Sequence, residues 1–329
     1  MNTAPRPLGS SPVSVGPLGL GCWPLAGMTR AGVTPAAAEA TVRAAIDAGI
    51  THLDTAYCYG ERGESERAIA AAIAGRRGSV VLAGKCGIHW VPDAAATPPR
   101  RQVIDGRPAR IRAEVAESLD RLGTDHFDLL YLHAPDPRVP IEESAGELAR
   151  LLATGMTRAV GLSNATVSQL EQFAAVCPLA ACQMQFNMLQ RHIEADVLPW
   201  CRARGVAVVA YWPLMKGLLA GKMRRGQVFP ATDTRHKYPI FNGAEFDRNL
   251  GFVDALRPIA DRLGCPLADL VLAWTAEQHG ITSVLFGATC PEQVAENARA
   301  LACELDAQAR DDIAAAIRER GFIAGRQPV

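Results

Sequence analysis

The stretch SVVLAGK at residues 79–85 gives the first indication of the fold, together with a second stretch of the same kind, FDLLYLH, at residues 127–133. Both are continuously apolar rather than alternating, which is the pattern of a parallel strand buried on both faces. The segment RPARIRAEVAESLDRLG (107–123), which lies between them, has the apolar spacing of an amphipathic helix. Strand, helix and strand in this order predict a β-α-β unit of a parallel sheet.

The same alternation runs through the whole chain. Six further short apolar runs have the same character, at LGLGC (18–22), ITHLDTA (50–56), RAVGLS (158–163), ACQMQF (181–186), VAVVAYW (206–212) and TSVLFGA (282–288). Eight βα units in one series favour a closed (β/α)8 barrel, the TIM barrel of the α/β class, over an open sheet. We therefore expect a single barrel domain over residues 1–329.

Ala-rich amphipathic stretches separate the runs and are predicted to be the outer helices. Besides residues 107–123, such stretches cover residues 35–49, 143–155 and 165–176. Thr34 and Pro35 suit the N-cap and first position of the first helix, since Pro lacks the N–H that is unpaired there anyway.

Several segments lie outside a minimal barrel. Residues 6–17, punctuated by Pro, Gly and Ser, predict an N-terminal hairpin that closes the bottom of the barrel. Residues 87–108 and 213–250 are long connections after the third and seventh strands, so we expect long loops at the C-terminal face. Residues 304–319 predict one additional helix after the last strand.

Composition excludes several classes of function. Lys plus Arg equals Asp plus Glu at 34 each, which argues against a nucleic-acid or other polyanionic partner. The N-terminal residues lack the apolar core of a signal peptide, and no stretch approaches the length of a membrane span. The nine cysteines are odd in number, form no CxxC pair and mostly fall in apolar contexts. A cytoplasmic protein is expected, and its oligomeric state stays open.

Four titratable residues lie at the exits of three predicted strands. They are Asp54 and Tyr59 after the second strand, Lys85 after the third and His133 after the fourth. The carboxyl ends of barrel strands share one mouth, and that mouth is where barrel enzymes perform catalysis. The four residues therefore predict one catalytic site, although individual residues also have other possible roles. An ordinary buried Asp54–Lys85 ion pair fits as well, His133 also suits a core position, and Tyr57 competes with Tyr59.

Seven motifs, one at each of seven strand exits, make the chain resemble the aldo-keto reductase superfamily. In chain order they are LDTAYCYGERGESE (53–66), VVLAGKCG (80–87), DLLYLHAPD (128–136), GLSN (161–164), CQMQFN (182–187), AYWPLMKGLLAGK (210–222) and GATCPEQVAEN (287–297). The resemblance implies a catalytic tetrad of Asp54, Tyr59, Lys85 and His133. Of the two tyrosines, Tyr59 keeps the spacing from the aspartate that the family shows.

The implied chemistry is reduction of an aldehyde or ketone to an alcohol. Tyr59 would give a proton to the developing alkoxide, and the Lys85 ammonium would lower the pKa of that hydroxyl. Asp54 would keep Lys85 charged, and His133 would orient the carbonyl and donate to its oxygen. None of these steps requires a metal.

The resemblance also implies a nicotinamide dinucleotide, NADP(H) first, with NAD(H) not excluded, bound without a Rossmann glycine loop. The carboxamide would meet Ser163, Asn164 and Gln183, and Tyr211 would stack on the nicotinamide ring. A helix N-cap is the alternative role for Ser163 or Asn164. The full set of cofactor-binding residues that the resemblance implies is Gly21, Cys22, Trp23, Asp54, Ser163, Asn164, Gln183, Tyr211, Pro213, Leu214, Gly217, Lys222, Gly287, Gln293 and Asn297.

Two departures from the family bear on the cofactor. Many relatives have a Ser at the position of Trp212, where its hydroxyl helps to hold the pyrophosphate. Some relatives hold the adenosine 2′-phosphate with a Lys–Ser pair and an Arg, where this chain has Gly287, Ala288 and Gln293. Cations of the 213–250 connection are expected to compensate, and they are Lys216, Lys222, Arg224 and Arg225.

The leading hypothesis is an NADPH-dependent carbonyl reductase acting on a small-molecule aldehyde or ketone. Trp23, Tyr59, His89, Trp90 and His133 are expected to line the substrate pocket. Two alternatives stay open: a Schiff-base aldolase with Lys85 as nucleophile, and a non-enzymatic cofactor-sensing subunit like the potassium-channel β subunits that share the fold.

Overall fold

The structure is a computed structural model that describes residues 3–27, 32–96, 99–230, 233–321 and 323. Eight parallel strands close into a barrel, each paired with the next along the chain and the last paired with the first. These strands are β3 (Leu18–Gly21), β4 (His52–Asp54), β5 (Val81–Cys86), β8 (Leu129–Leu132), β9 (Val160–Ser163), β10 (Ala181–Gln185), β11 (Ala207–Tyr211) and β12 (Ile281–Gly287). All eight predicted strands are therefore confirmed.

Helices surround the barrel. They are α1 (Pro35–Asp47), α2 (Glu64–Ile73), α3 (Pro108–Leu122), α4 (Ile141–Ala153), α5 (Val167–Ala174), α6 (Val197–Arg204), α7 (Gly243–Arg262), α8 (Leu267–Glu277), α9 (Pro291–Ala298) and α10 (Ala307–Arg320). The predicted start of the first helix is confirmed, since the Thr34 side chain accepts a hydrogen bond from the Ala37 N–H. The extra C-terminal helix is confirmed as α10. No helix among the described residues is long and apolar enough to cross a bilayer.

The predicted N-terminal hairpin plugs the lower end of the barrel. Strands β1 (Arg6–Pro7) and β2 (Ser14–Val15) pair antiparallel, and Leu8, Val13 and Val15 pack against the interior faces of the barrel strands. The Arg6 guanidinium donates to three backbone carbonyls at the end of α8 and the start of β12. Each helix is followed by the N-terminal end of the next barrel strand, and this end of the barrel lies opposite the mouth. The Arg6 contacts therefore place the hairpin at the end opposite the mouth.

Close backbone approach fills the barrel interior. A Cβ atom at Gly161 would lie 2.3 Å from the Tyr131 ring, so glycine allows this large side chain to lie across β9. Strands β8 and β9 are buried along their whole length, as their continuous apolarity predicted.

The two long connections contain more structure than predicted. The segment after β5 folds into an antiparallel hairpin, β6 (Ile88–Pro92) with β7 (Arg100–Ile104). The connection after β11 holds 3-10 turns at Met215–Ala220, Thr234–Lys237 and Pro239–Phe241, and it ends where α7 begins at Gly243. The predicted end of this connection at residue 250 was therefore wrong. The helix α7 was not predicted because it contains a proline, which argues against a helix when only the sequence is known.

Candidate active site

The structure brings the four predicted catalytic side chains together at the mouth of the barrel. Asp54 ends β4, Lys85 lies near the end of β5, and His133 directly follows β8. Tyr59 lies in the turn after β4, with its ring centroid 5.9 Å from the His133 ring and 4.9 Å from Lys85 Nζ. All four side chains are buried. A single molecule bound at the mouth could lie close to all four side chains.

Lys85 and Asp54 form a buried ion pair. Lys85 Nζ donates to Asp54 Oδ1 and, over 3.0 Å, to the carbonyl of Thr55. The second carboxylate oxygen of Asp54 accepts a 2.8 Å hydrogen bond from Gln183 Nε2. The side chains of Lys85 and Asp54 are only 1% and 3% exposed. The ion pair and the Thr55 carbonyl occupy the Lys85 nitrogen, and a nucleophilic role would require these contacts to break, which disfavours the aldolase alternative.

Tyr57 and Tyr59 point to different places. The Tyr57 hydroxyl donates to Glu117 Oε2 on α3 over 2.7 Å, and Arg121 lies over its ring at 4.6 Å from the centroid. Tyr57 is thus engaged with the outer helix layer, whereas Tyr59 is inside the mouth with Lys85. Their surroundings agree with the preference for Tyr59 that the spacing from Asp54 gave.

Burial determines the direction of the pKa shift of Tyr59 in this structure, and the pKa is raised. Burial, and next the Asp54 carboxylate, raise the pKa of Tyr59 well above 10. Among the described residues no hydrogen bond joins the Tyr59 hydroxyl to Lys85. Asp54 neutralises the ammonium at short range, so desolvation dominates. Tyr59 therefore carries its proton at all physiological pH values.

His133 is a neutral imidazole. Burial, and next the Lys85 ammonium, lower the pKa of His133 well below its usual 6.5. Its Nδ1 lies 3.6 Å from the Cys58 thiol, which leaves Nε2 for a ligand in the mouth. Because burial also raises the pKa of Cys58, this thiol is neutral and can share a proton with the ring. A neutral imidazole can donate to a carbonyl oxygen without adding charge to the site.

The residues expected to hold the carboxamide form one network with the tetrad. Ser163 Oγ donates to the Gln183 carbonyl over 3.0 Å and accepts from Asn164 Nδ2 over 3.1 Å. Asn164 also donates to the His133 carbonyl, and its Oδ1 accepts a 2.6 Å hydrogen bond from the Tyr211 hydroxyl. The N-cap of α5 is Thr166, so the helix-capping alternative for Ser163 and Asn164 was wrong.

This network leaves acceptor capacity that fits a primary amide. Ser163 Oγ, Asn164 Oδ1 and Gln183 Oε1 each keep at least one lone pair after their internal hydrogen bonds. A nicotinamide carboxamide brings an NH2 group with two donors. The residues present therefore suit the group that the resemblance implies.

Backbone strain is concentrated at the mouth of the barrel. In the described part of the chain, the non-glycine residues with positive φ are Asn164, Trp212, Met215 and Lys216, with φ of 57°, 57°, 45° and 51°. All of them follow β9 or β11 at the mouth. Such conformations cost about 1–3 kcal/mol each and occur mainly at ligand clamps and active sites.

The hairpin after β5 supports the Tyr59 turn. The Trp90 indole N–H lies 3.0 Å from both the Cys58 and Gly60 carbonyls, and Gln102 Nε2 also donates to Cys58. His89 lies on the other hairpin face, with Nδ1 3.2 Å from Glu114 Oε1 and no hydrogen bond between them. The expectation that His89 lines the pocket was based on position along the chain, which does not determine which hairpin face a side chain occupies.

The Trp23 side chain packs against Tyr59, the predicted proton donor. Its ring meets the Tyr59 ring edge-on with centroids 5.0 Å apart. The Trp23 indole N–H is buried and, within the described residues, has no hydrogen-bond partner. Leaving a buried donor unpaired costs about 1–3 kcal/mol, so such a group at a mouth calls for a ligand acceptor.

The remaining predicted cofactor residues lie around the same mouth. Gly21 and Cys22 end the first barrel strand, and the Cys22 N–H donates to the Asp54 carbonyl. Pro213, Leu214 and Gly217 form the strained turn after β11.

The residues expected at the adenosine half lie at the exit of β12. Gln293 Oε1 accepts from the Thr289 N–H and hydroxyl, and Asn297 lies 3.5 Å from the Gly287 carbonyl. The predicted helix start near residue 290 is confirmed by α9, which begins at Pro291.

Three features of this site were not predicted from the sequence. Thr55 supplies a carbonyl to Lys85, and Cys58 contacts His133. Tyr238 lies against Lys216 and the Trp212 ring, 5.9 Å away between ring centroids. None of the three has a sequence signal, because each depends on a turn bringing distant residues together.

The sequence model of the aldo/keto reductase family matches residues 17–318. The chain belongs to the aldo-keto reductase family. It is therefore an NAD(P)H-dependent oxidoreductase, and nicotinamide cofactors and small carbonyl substrates are the rule in the family. The aldo-keto reductase YhdN of Bacillus subtilis (strain 168) is 36% identical over 299 residues, which cover 90% of this chain and 88% of the relative.

Solved structures of the family agree with the barrel. The glycerol dehydrogenase AKR11B4 from Gluconobacter oxydans superposes with a TM-score of 0.90 at 32% identity, over 100% of this chain and 99% of that one. The holo form of aldo-keto reductase AKR11C1 from Bacillus halodurans superposes with a TM-score of 0.76 at 27% identity, over 96% of each chain.

Proposed function

We propose that this aldo-keto reductase reduces an aldehyde or ketone to an alcohol, with Tyr59 as the proton donor. The observation that carries the proposal is the buried contact of Tyr59 with the Lys85–Asp54 pair and His133. Tyr57, the competing acid, is engaged by Glu117 on the outer helix layer.

The roles of the residues follow from their protonation states. A bound nicotinamide dinucleotide supplies the hydride. Tyr59 holds a proton that it gives to the carbonyl oxygen as negative charge develops there, and His133 donates to the same oxygen. Lys85 stabilises the phenolate that remains, and Asp54 keeps the ammonium in place. Ser163, Asn164 and Gln183 orient the carboxamide.

A hydroxylated aliphatic carbonyl is the substrate class we favour. The similarity to a glycerol dehydrogenase at 32% identity over the whole chain supports this class. The unpaired Trp23 indole N–H beside Tyr59 is a donor suited to a substrate hydroxyl. Trp23→Phe replaces the indole by a smaller aromatic ring and removes the donor, so KM for glyceraldehyde should rise about tenfold while KM for butanal stays within twofold. Equal changes for both aldehydes would contradict this class.

NADPH is the cofactor we expect to bind more tightly, by a modest margin. Lys222 Nζ bonds Glu296 Oε2 on α9 over 2.8 Å, close to the adenosine residue Gln293. Arg225 is instead held by Asp254 on α7. Lys222 is thus the best supported of the predicted cations for a 2′-phosphate.

A reducing compartment is consistent with the thiols, and we propose the cytoplasm. The nine cysteines, all within the described residues, form no disulfide, and the Cys303 thiol donates a 3.3 Å hydrogen bond to the Cys265 sulfur. Buried thiols of this kind are typical of proteins from reducing compartments.

A pair of tyrosine variants tests the proposed acid. Tyr59→Phe should lower the rate of carbonyl reduction by about two to four orders of magnitude, because it removes the general acid. NADPH affinity, measured by fluorescence titration, should change little. Tyr57→Phe is the matched control and should keep near-native turnover. If Tyr57→Phe were the inactive variant and Tyr59→Phe the active one, the assignment would be wrong.

A further inference from the structure

Cys58 lies directly before Tyr59 in the turn after β4, and its thiol contacts the His133 ring. The Cys58 Sγ is 3.6 Å from His133 Nδ1, and the residue is only 1% exposed. The surroundings of the thiol are apolar, since it belongs to a buried cluster that also contains Ala56, Tyr59, Ile88 and Ala134. Among the described residues, His133 Nδ1 is the only hydrogen-bond acceptor that this thiol meets.

The backbone at Cys58 is held by the hairpin after β5. The Cys58 carbonyl accepts from Trp90 Nε1 over 3.0 Å and from Gln102 Nε2 over 3.2 Å. These donors come from the two strands of that hairpin, β6 and β7. The turn is therefore fixed from two sides, which keeps the thiol in one position relative to the His133 ring. A side chain that orients a site residue needs such support.

The thiol and the imidazole are both uncharged. Burial raises the pKa of the Cys58 thiol, and burial together with the Lys85 ammonium lowers the pKa of His133. A thiolate–imidazolium pair is therefore disfavoured, because both of its members would be charged groups away from water. The contact thus joins one S–H group to one neutral ring, whose single proton lies on either Nδ1 or Nε2.

The two tautomers of His133 differ in what they leave unpaired. With the ring proton on Nε2, the Nδ1 atom is an acceptor and the Cys58 S–H donates to it, so both groups are paired. With the proton on Nδ1, the ring would donate to the sulfur, and the S–H would have no acceptor in the described part of the chain. Sulfur is a weak acceptor, and an unpaired buried donor is costly. The contact therefore favours the proton on Nε2.

We propose that Cys58 is a positioning residue that fixes the Nε2–H tautomer of His133 by donating its S–H to Nδ1. The inference rests on the proposed function, because it explains how His133 can donate to a carbonyl oxygen. The other tautomer would direct the Nε2 lone pair at the lone pairs of that oxygen, and the two would repel each other. Cys58 acts through the ring and takes no part in proton transfer.

Nitrogen NMR of protein labelled at its histidine rings tests the tautomer directly. The chain has seven histidines, and the signals that disappear in His133→Gln identify those of His133. In the unmodified protein at pH 7, the His133 Nε2 signal should be that of a protonated ring nitrogen and the Nδ1 signal that of an unprotonated one. A protonated Nδ1 would overturn the inference, and this measurement needs no variant at Cys58.

Variants at Cys58 test the effect on catalysis. Cys58→Ala removes the S–H donor and should lower kcat/KM for an aldehyde about tenfold, while NADPH affinity stays within about twofold. Cys58→Ser keeps an O–H donor and should restore kcat/KM to within about threefold of the unmodified protein. Cys177→Ala is the matched control, because it truncates another buried thiol, and kcat/KM should stay within about twofold.

The outcomes separate a positioning role from packing. Equal losses in Cys58→Ala and Cys58→Ser, or full activity in Cys58→Ala, would refute the role of Cys58. The His133 signals of Cys58→Ala should show a mixture of both tautomers, and an unchanged Nε2–H tautomer in that variant would also refute it. Absence of carbonyl reduction by the unmodified protein would instead contradict the proposed function.

Discussion

Replacing Lys85 by Met should destabilise the protein strongly, because it leaves one partner of a buried ion pair alone. Methionine keeps a similar bulk but removes three donors from a site where Lys85 and Asp54 are only 1% and 3% exposed. Asp54 would keep a single side-chain hydrogen bond, from Gln183. Breaking a buried pair in this way costs about 3–5 kcal/mol. That is a large share of the roughly 5–15 kcal/mol by which a typical domain is stable.

Two further variants separate charge from packing. Lys85→Met combined with Asp54→Asn removes both charges, and the new amide oxygen can still accept from Gln183, so the double variant should be more stable than the single one by about 2 kcal/mol or more. Lys222→Met breaks an exposed pair, with the lysine side chain 71% exposed, and should cost less than about 1 kcal/mol. Urea unfolding at pH 7 measures all of them.

The reasoning fails if Lys85→Met costs no more than Lys222→Met. It also fails if the double variant is no more stable than the single one, since an uncompensated carboxylate would then not be the cause. Activity alone does not decide the matter, because every variant at Lys85 or Asp54 is expected to be inactive.

Three further predictions follow from contacts around the site. Burial lowers the pKa of His52 to about 4, so between pH 6.5 and 4 the unfolded chain binds a proton that the folded chain does not. The free energy of unfolding should therefore fall by about 3 kcal/mol as the pH drops through that range. His52→Gln should remove most of that loss when unfolding is measured in acid. Trp90→Phe removes the N–H shared by the Cys58 and Gly60 carbonyls, and urea unfolding should show a loss of about 1–1.5 kcal/mol, with no loss refuting the anchor role. Glu296→Gln frees Lys222 and should raise the NADPH-to-NADH affinity ratio about three- to tenfold in fluorescence titrations, whereas an unchanged ratio would place the 2′-phosphate elsewhere.

The barrel could be predicted because its strands carry their signal locally. Buried parallel strands are continuously apolar, and each of the eight runs became a barrel strand. The tetrad positions followed from the same rule, since a polar residue at the end of such a run lies at the mouth. Helices with one apolar stripe, such as α3, were equally visible.

Other helices were missed for physical reasons. Helix α8 is buried almost all round, so its sequence LADLVLAWTAE has no polar face to reveal a period of 3.6. Helix α6 contains Pro199, and α7 contains Pro258, and proline argues against a helix when only the sequence is known. Tertiary packing overrides these local signals.

The electrostatics of the site could not be predicted from residue types. A lysine near a tyrosine was expected to lower its pKa, yet the Asp54 carboxylate holds the ammonium and burial raises the pKa of Tyr59. The sign depends on which neighbour is closest and how much water remains, and both are properties of the fold. The neutral state of His133 has the same origin.

The cations of the connection after β11 show why a count of charges overestimates what a cofactor can use. Lys222 and Arg225 already bind Glu296 and Asp254, so a phosphate must compete with a carboxylate for either of them. Lys216 instead lies 4.1 Å from the centroid of the Trp212 ring. Because the cations of this connection are already engaged in the folded protein, we expect only modest discrimination between NADPH and NADH.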